Sequence, residues 1–269
     1  MHVPDKIIAL LTDFGNHDYF VGSVKGVILS INPAAQIVDI THDIPAQDIE
    51  AGAFTLFTAH SAFPKNTIFV GVVDPGVGSA RRPIVIKTED YFFVGPDNGL
   101  FGHMLENSVH TSFKIANEKY FRHPVSPTFH GRDIFGPVAA HLSKGTEPSA
   151  FGPAIDDLKR LPSLQPAKVK DSIWKGRIIH IDHFGNCITN ITRETLSELQ
   201  EGRARLRVKG KTINSFKRFF TEEGGRQKLF AVWGSAGFLE IAALNRSAAQ
   251  ILKAKRGDLV KLDILRPRL

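Results

Sequence analysis

Thr67-Ile68-Phe69-Val70-Gly71-Val72-Val73 runs directly into Asp74-Pro75-Gly76-Val77-Gly78-Ser79-Ala80-Arg81-Arg82. After Thr67 no polar residue interrupts the first stretch. It reads as a strand buried on both faces, the pattern of a sheet covered by helices above and below. The glycine-rich polar turn behind it marks the strand's carboxyl end. Upstream, Lys6 to Leu11 is a shorter apolar run ending in Thr12-Asp13-Phe14-Gly15-Asn16, and Gln36 to Ile40 reads as another strand. Helices are predicted between them, from Tyr19 to Ile31 (capped by Asp18, stopped at Asn32-Pro33) and from Asp48 to Ala59. This alternation predicts an α/β domain with a mainly parallel, Rossmann-like sheet. Ligands of such sheets collect beyond the carboxyl ends of the strands, where Asp13 and Asp74 both fall.

Downstream, Pro83 to Lys87 and Tyr91 to Val94 read as a hairpin around Thr88-Glu89-Asp90. Pro96-Asp97-Asn98-Gly99 reads as a turn, with a helix beginning over Leu100 to Leu105. Thr128-Phe129-His130-Gly131-Arg132-Asp133 then leads into the apolar stretch Ile134 to Leu142. Lys144 to Pro166 carries Pro148, Pro153, Pro162 and Pro166 with little periodicity, which predicts a linker. From Gly176 onward the pattern is of short strands: Arg177 to Ile181, Arg203 to Val208, Lys228 to Trp233, Phe238 to Ala242 and Asp258 to Leu265. One short helix is expected near Ser247 to Ala254. A smaller all-β barrel follows from that pattern. The expected domains are residues 1–165 and 172–269.

The chain has 269 residues, 42% hydrophobic and 23% charged, enough for a real core in one large or two modest domains. Its net charge is +7, concentrated after about residue 159, in Lys159-Arg160, Arg203 to Lys211, Lys217-Arg218 and Lys253 to Arg256. No nucleic-acid-binding motif accompanies these residues, so they read as a solvated basic face. Lys217-Arg218-Phe219-Phe220 alone interleaves cations with aromatics. A single cysteine, Cys187, excludes an internal disulfide. No stretch reads as a membrane span or secretory leader, and a cytoplasmic protein is expected.

Several motif-like fragments carry no chemistry by themselves. Asp13-Phe14-Gly15 lacks the companion motifs of a kinase. His180, Asp182 and His183 alternate along a strand and have no cysteine partners, so no metal is expected. Gly234-Ser235-Ala236-Gly237 departs from the hydrolase nucleophile elbow and reads as a turn that could touch substrate. Asp74, Arg81 and His130 stand apart: a carboxylate closing a buried strand, an arginine in a glycine turn, and a histidine entering an apolar helix suit an active site.

These segments resemble the S-adenosylmethionine hydroxide adenosyltransferase family, the water-using relatives of the bacterial fluorinase and chlorinase. The resemblance covers nearly the whole chain. It runs through Thr12-Asp13-Phe14-Gly15, Asp39-Ile40-Thr41-His42, Val73 to Gly78, Gly95 to Leu100, Thr128 to Asp133, Asp182-His183-Phe184-Gly185-Asn186 and Gly237 to Ala242. It implies a homotrimer whose sites lie between the N-terminal domain of one subunit and the C-terminal domain of its neighbour. The implied reaction splits S-adenosylmethionine with water into adenosine and methionine, with no cofactor.

By resemblance, Asp74, Arg81 and His130 hold the attacking water, with Arg82 the weaker alternative for the arginine. Asp13 grips the ribose diol, Asp18 lies nearby, and Phe129 is a pocket aromatic. Gln47 falls where the halogenating relatives carry a tryptophan against the ribose. Asp182, Asn186 and Ser235 match contacts to the methionine amino and carboxylate groups, with Phe184 beside them. Phe220 falls where an aromatic meets adenine. Ala236 replaces an arginine of the halogenases, leaving only its backbone N–H. A halide-dependent adenosyl transferase is the nearest rival, disfavoured by the carboxylate at Asp74 and by Gly131, where the fluorinase has a serine. A non-catalytic adenosyl-ligand sensor is another; it would keep Asp13 and Asp182 without needing Asp74, Arg81 and His130 together.

Overall fold

A computed structural model describes residues 7–170, 172–193, 204–221 and 228–265. Lys6 and Arg203, which the sequence places at strand starts, lie outside these residues. The chain divides into two compact units, Met1–Pro162 and Ser163–Leu269.

The first unit is built on β1 (Ile7–Thr12), α1 (Phe20–Ile31), β2 (Gln36–Thr41), α2 (Ile49–Ala59), β3 (Ile68–Val72), β4 (Pro83–Thr88), β5 (Phe92–Pro96), α3 (Gly102–Leu105), β6 (His110–Lys114), α4 (Gly136–Ser143) and β7 (Ala154–Ile155). Its sheet runs β2-β1-β3-β5-β4-β6-β7. Alternate side chains of β1 enter two cores. Ile8 and Leu10 join α1 and α4 on one face, and Ala9 and Leu11 join α2 and α3 on the other. Burial on both faces explains why β3 is apolar throughout.

The expected mainly parallel sheet is in fact mixed. β2, β1, β3 and β5 are parallel neighbours, whereas β5-β4, β4-β6 and β6-β7 are antiparallel. The physical reason is the hairpin: β5 takes the parallel place beside β3, so β4 must run back along its outer edge. Two local expectations also change. Asp48 caps α2, its Oδ1 accepting from Ala51 N at 3.0 Å, but Asp18 does not cap α1, whose first turn follows Tyr19 with no side-chain cap. The expected linker is partly folded, because Phe151, Ile155, Leu158 and Leu161 pack into the first unit and β7 pairs with β6.

The second unit contains β8 (Ala167–Lys170), β9 (Ile173–Ile181), β10 (Cys187–Thr192), β11 (Ala204–Val208), β12 (Lys211–Ile213), β13 (Phe216–Lys217), β14 (Phe230–Trp233), β15 (Phe238–Ala242), α5 (Ala248–Leu252) and β16 (Leu259–Ile264). The order is β12-β11-β16-β9-β10-β15-β14-β13, with β8 on β9. The first and last strands of that path, β12 and β13, are separated in sequence only by Asn214 and Ser215. So short a link brings the two edges of the sheet together. The sheet therefore curls into a nearly closed barrel around Ile178, Cys187, Leu206, Ala231, Leu239 and Leu262. Among the described residues no helix is long and apolar enough to cross a membrane.

Candidate active site

β1 and β3 are adjacent and in register, Thr12 opposite Val72. Asp13 and Asp74 therefore emerge at the same carboxyl edge of neighbouring parallel strands. The turn after β3 is tight: Val77 N donates to Asp74 O at 3.2 Å and Ser79 N to Gly76 O at 3.1 Å. Ser79 Oγ then accepts from Arg81 N at 3.2 Å, which folds Arg81 back over the strand end. Its Nε donates to Asp74 Oδ1 at 3.0 Å and Oδ2 at 2.9 Å. Both side chains are only 5% exposed, so the ion pair is shielded from water. The guanidinium lies 5.3 Å from the Phe135 ring centroid. Its Nη2 reaches His130 Nδ1 at 2.7 Å. Its Nη1 is buried with no hydrogen-bond partner among the described residues.

That last bond defines the histidine. A guanidinium can only donate, so His130 Nδ1 must accept, and the imidazole is neutral with its proton on Nε2. The electrostatics agree. Burial first, and then the positive charge of Arg81, pull the His130 pKa below its ordinary value, against weaker opposing pulls from Asp74 and Asp133. The Asp74 turn and the His130 loop meet at Gly78 (φ +77°), where a Cβ would collide with Pro127 O. Only glycine permits that approach. Arg82 points elsewhere. Its Nε donates to Asp97 Oδ2 at 2.9 Å and its Nη1 to Asp157 Oδ1 at 2.6 Å. Arg81, not Arg82, faces Asp74 and His130.

Asp13 is half-buried, and its Oδ2 accepts from Gln47 N at 2.7 Å. Gln47 has φ +66° and an exposed side chain, so its backbone rather than its amide group orients Asp13. Behind Asp13, Thr12 Oγ1 bonds His42 Nδ1 at 2.8 Å, and His42 Nε2 lies 3.1 Å from Asp39 Oδ1. Asp18 is exposed beyond this edge. Phe129 is buried, packed edge-on to Phe14 and Phe20 with centroids 5.8 and 5.2 Å away.

In the second unit Asp182 and Asn186 are locked together. Asn186 N and Nδ2 donate to Asp182 Oδ1 and Oδ2 at 2.8 and 2.9 Å. Phe184, Asn186 and Phe220 line a cleft of about 560 Å³ together with Leu244, Asn245 and Ser247. Phe184 is 76% exposed and Phe220 42%, so two aromatic faces stand open to a planar guest. Ser235 and Ala236 form the exposed tip of the β14–β15 turn, where Gly237 N donates to Gly234 O at 3.0 Å. The sequence reading missed Glu240. It projects from β15 against Gly234, where a Cβ would overlap its carboxylate. Burial and then the charge of Asp182 raise its pKa. Its motif position was visible; its neighbours were not. His180 and His183 gather no ligand set: among the described residues no cluster of three His, Cys, Asp or Glu side chains is placed to hold a metal.

Two family models match, the SAM hydroxide adenosyltransferase N-terminal domain over residues 8–152 and its C-terminal domain over residues 176–261. The chain belongs to the SAM hydroxide adenosyltransferase family. A relative from Methanocaldococcus jannaschii named (R)-S-adenosyl-L-methionine hydrolase is 35% identical, the match covering 95% of each chain. The crystal structure of an uncharacterized conserved protein from Thermotoga maritima superposes with a TM-score of 0.89 at 36% identity, covering 96% of this chain and all of its own. A fluorinase from Nocardia brasiliensis is more distant, 27% identical over 96% of this chain and 97% of its own length.

Proposed function

We propose that this protein is an S-adenosyl-L-methionine hydrolase, using no cofactor, that forms adenosine and L-methionine by in-line attack of water on C5′. The observation that carries it is the Asp74–Arg81–His130 constellation, a covered ion pair bonded to a partly buried histidine. Water oxygen forms a bond to C5′, and the C5′–S bond breaks with its electron pair going to sulfur. The sulfonium thereby becomes the neutral thioether of methionine, and one water proton is released. The leaving group needs no acid, so the enzyme's work is positioning, which is worth roughly 7–11 kcal/mol when reacting atoms are held in line. Asp74 accepts a hydrogen bond, or the proton itself, from the water. The neutral His130 donates from Nε2 to the water oxygen, and the buried Arg81 Nη1 offers a further donor. Attack of hydroxide on a sulfonium cancels charge, which a dry pocket favours.

Asp13, pre-aimed by the Gln47 N–H, offers acceptor oxygens to the ribose diol, with Phe129 walling the pocket and Asp18 at its rim. Asp182, Asn186, Ser235 and the Ala236 N–H serve the methionine amino and carboxylate groups. Phe184 packs beside them, and Phe220, on the same cleft, packs on the planar base. The ribose and water sites thus belong to residues 1–165, and the methionine and adenine contacts to 172–269. The parallel β2-β1-β3-β5 half of the sheet is the Rossmann-like part that presents them. By the relatives' printed name, the epimer consumed is the one with R configuration at sulfur. The family resemblance further supports a cytoplasmic homotrimer in which neighbouring copies complete each site. A carboxylate ion-paired at position 74 disfavours a halide nucleophile.

Incubation with S-adenosylmethionine in oxygen-18 water tests the reaction. The expected product is adenosine labelled at its 5′-oxygen, with the R epimer consumed. Unlabelled adenosine or no turnover overturns the mechanism, and a 5′-halo product in chloride or fluoride would move the chain to the halogenases.

A further inference from the structure

Asp133 is a carboxylate with no exposure at all, three residues after His130. Burying a charge is costly unless it is paired and hydrogen-bonded. Here it is. Arg132 Nε and Nη2 donate to its two oxygens at 2.7 and 2.8 Å. Arg122 Nη1 donates to Oδ1 at 3.2 Å, and Ser126 N to Oδ2 at 2.8 Å. Burial works to raise its pKa, but these hydrogen bonds and charges prevail and lower it, so it is ionised.

The partners of its backbone matter as much. Asp133 N donates to Phe129 O at 3.2 Å, and Asp133 O accepts from Arg122 N at 2.9 Å. One residue therefore pins the chain at positions 122, 126 and 129. The arc between the last two points is Ser126-Pro127-Thr128-Phe129, and His130 follows immediately. Pro127 O is the group packed against Gly78, so the arc's shape also sets its distance from the Asp74 turn. His130 enters a π-helical turn, Gly131–Phe135, closed by Gly136 N donating to Gly131 O. Such wide turns are uncommon and concentrate at functional sites. This one leaves Asp133 beneath the arc instead of out in solvent.

We infer that Asp133 is a positioning residue for the reaction: by closing the 126–133 arc it holds the His130 imidazole in the Nε2–H form against Arg81. Its carboxylate is fully covered and bonded to Arg132, Arg122 and Ser126 N, so it acts through His130. The assignment rests on the hydrolytic reading above. A misplacement of about 1 Å at a reacting group costs on the order of 10²-fold in rate.

The test is Asp133→Asn, an isostere that keeps an acceptor for Ser126 N and loses the charge that orders both arginines. Ring nitrogen-15 shifts of His130 at neutral pH read the tautomer without any substrate. The wild-type protein is expected to show the proton on Nε2, and the variant a mixture of tautomers. In turnover, kcat is expected to fall about 10²-fold with KM within twofold. The same substitution in a His130→Ala background is expected to lower kcat no further. An unchanged His130 signature in Asp133→Asn, or an equal loss of kcat with and without His130, overturns the proposal. Should Asp133→Asn fail to fold, Arg132→Gln keeps the buried carboxylate. It is expected to shift the tautomer the same way and to lower kcat by up to about fivefold, the scale of a partly exposed ion pair. No shift there likewise overturns it. A wild-type protein inactive on S-adenosylmethionine, but with a tautomer lock that Asp133→Asn releases, would keep the positioning role and sink the hydrolytic reading.

Discussion

The two candidate regions are built on opposite principles. Around Asp74 the side chains are buried, charged and mutually bonded; Asp74 and Arg81 are each only 5% exposed. Around Phe184 and Phe220 the surface is open and aromatic, and among the described lining residues Arg246 alone carries charge. A buried polar network has few alternative arrangements, because each lost bond leaves an uncompensated group in a low-dielectric site. An open aromatic cleft gains from contact area and tolerates small shifts. The first suits a step needing sub-ångström placement. The second suits holding a planar, uncharged body. Loss in the first is therefore expected to appear in kcat, and loss in the second in KM.

The sharpest break is Asp74→Ala. It is expected to lower kcat by roughly 10²- to 10⁴-fold, the span of a general acid–base contribution, while adenosine binding measured by calorimetry changes little. Lost adenosine binding would make Asp74 a substrate ligand and blur the division between the regions. Acidification comes next. His130 must be neutral to accept from Arg81, and its pKa is pulled down by burial and then by Arg81. Its charged form is thus disfavoured in the folded protein, so the function it supports is complete above its folded pKa and is lost as pH falls through it. A kcat profile should hold level down through the ordinary imidazole range and then drop about tenfold per pH unit. A midpoint above the ordinary histidine value would contradict the geometry.

Smaller effects test the cleft. Phe220→Ala is expected to raise KM about tenfold with kcat nearly unchanged, since stacking of a base on an aromatic is worth roughly 1–3 kcal/mol. A fall in kcat alone would show that the cleft takes part in the chemistry. The smallest effect on activity belongs to Arg82→Ala. It should leave turnover close to wild type but cost about 1–3 kcal/mol of stability in denaturant melts, because Asp97 is left buried and short of a donor. Equal kinetic damage from Arg81→Ala and Arg82→Ala would erase the distinction that the structure draws between adjacent arginines.

Much of this was legible in the chain because its signals are local. The apolar run over β3 and the turn behind it follow from burial and backbone chemistry within a dozen residues. The start of α2 near Asp48 is of the same kind. Misreadings arose where a distant partner decides. The Asp18 cap failed because the chain turns into α1 one residue later. The Lys144–Pro166 stretch looked like a linker because its apolar residues are spaced for contact with the first unit's core, not for a helix or strand of its own. The parallel-sheet expectation missed that β4 must lie outside β5 once β5 has paired with β3.

Residue types and their order already determine that this chain alternates strands and helices, ends in short strands, and carries a carboxylate, arginines and a histidine in two glycine-bearing turns. Local propensity and burial suffice for that. Only the tertiary structure decides that Arg81 rather than Arg82 faces Asp74, that His130 carries its proton on Nε2, that Gln47 acts through its backbone, and that Asp133 lies beneath the histidine arc. Each of these depends on which groups from remote segments meet at bonding distance, and a hydrogen bond is directional over a few tenths of an ångström.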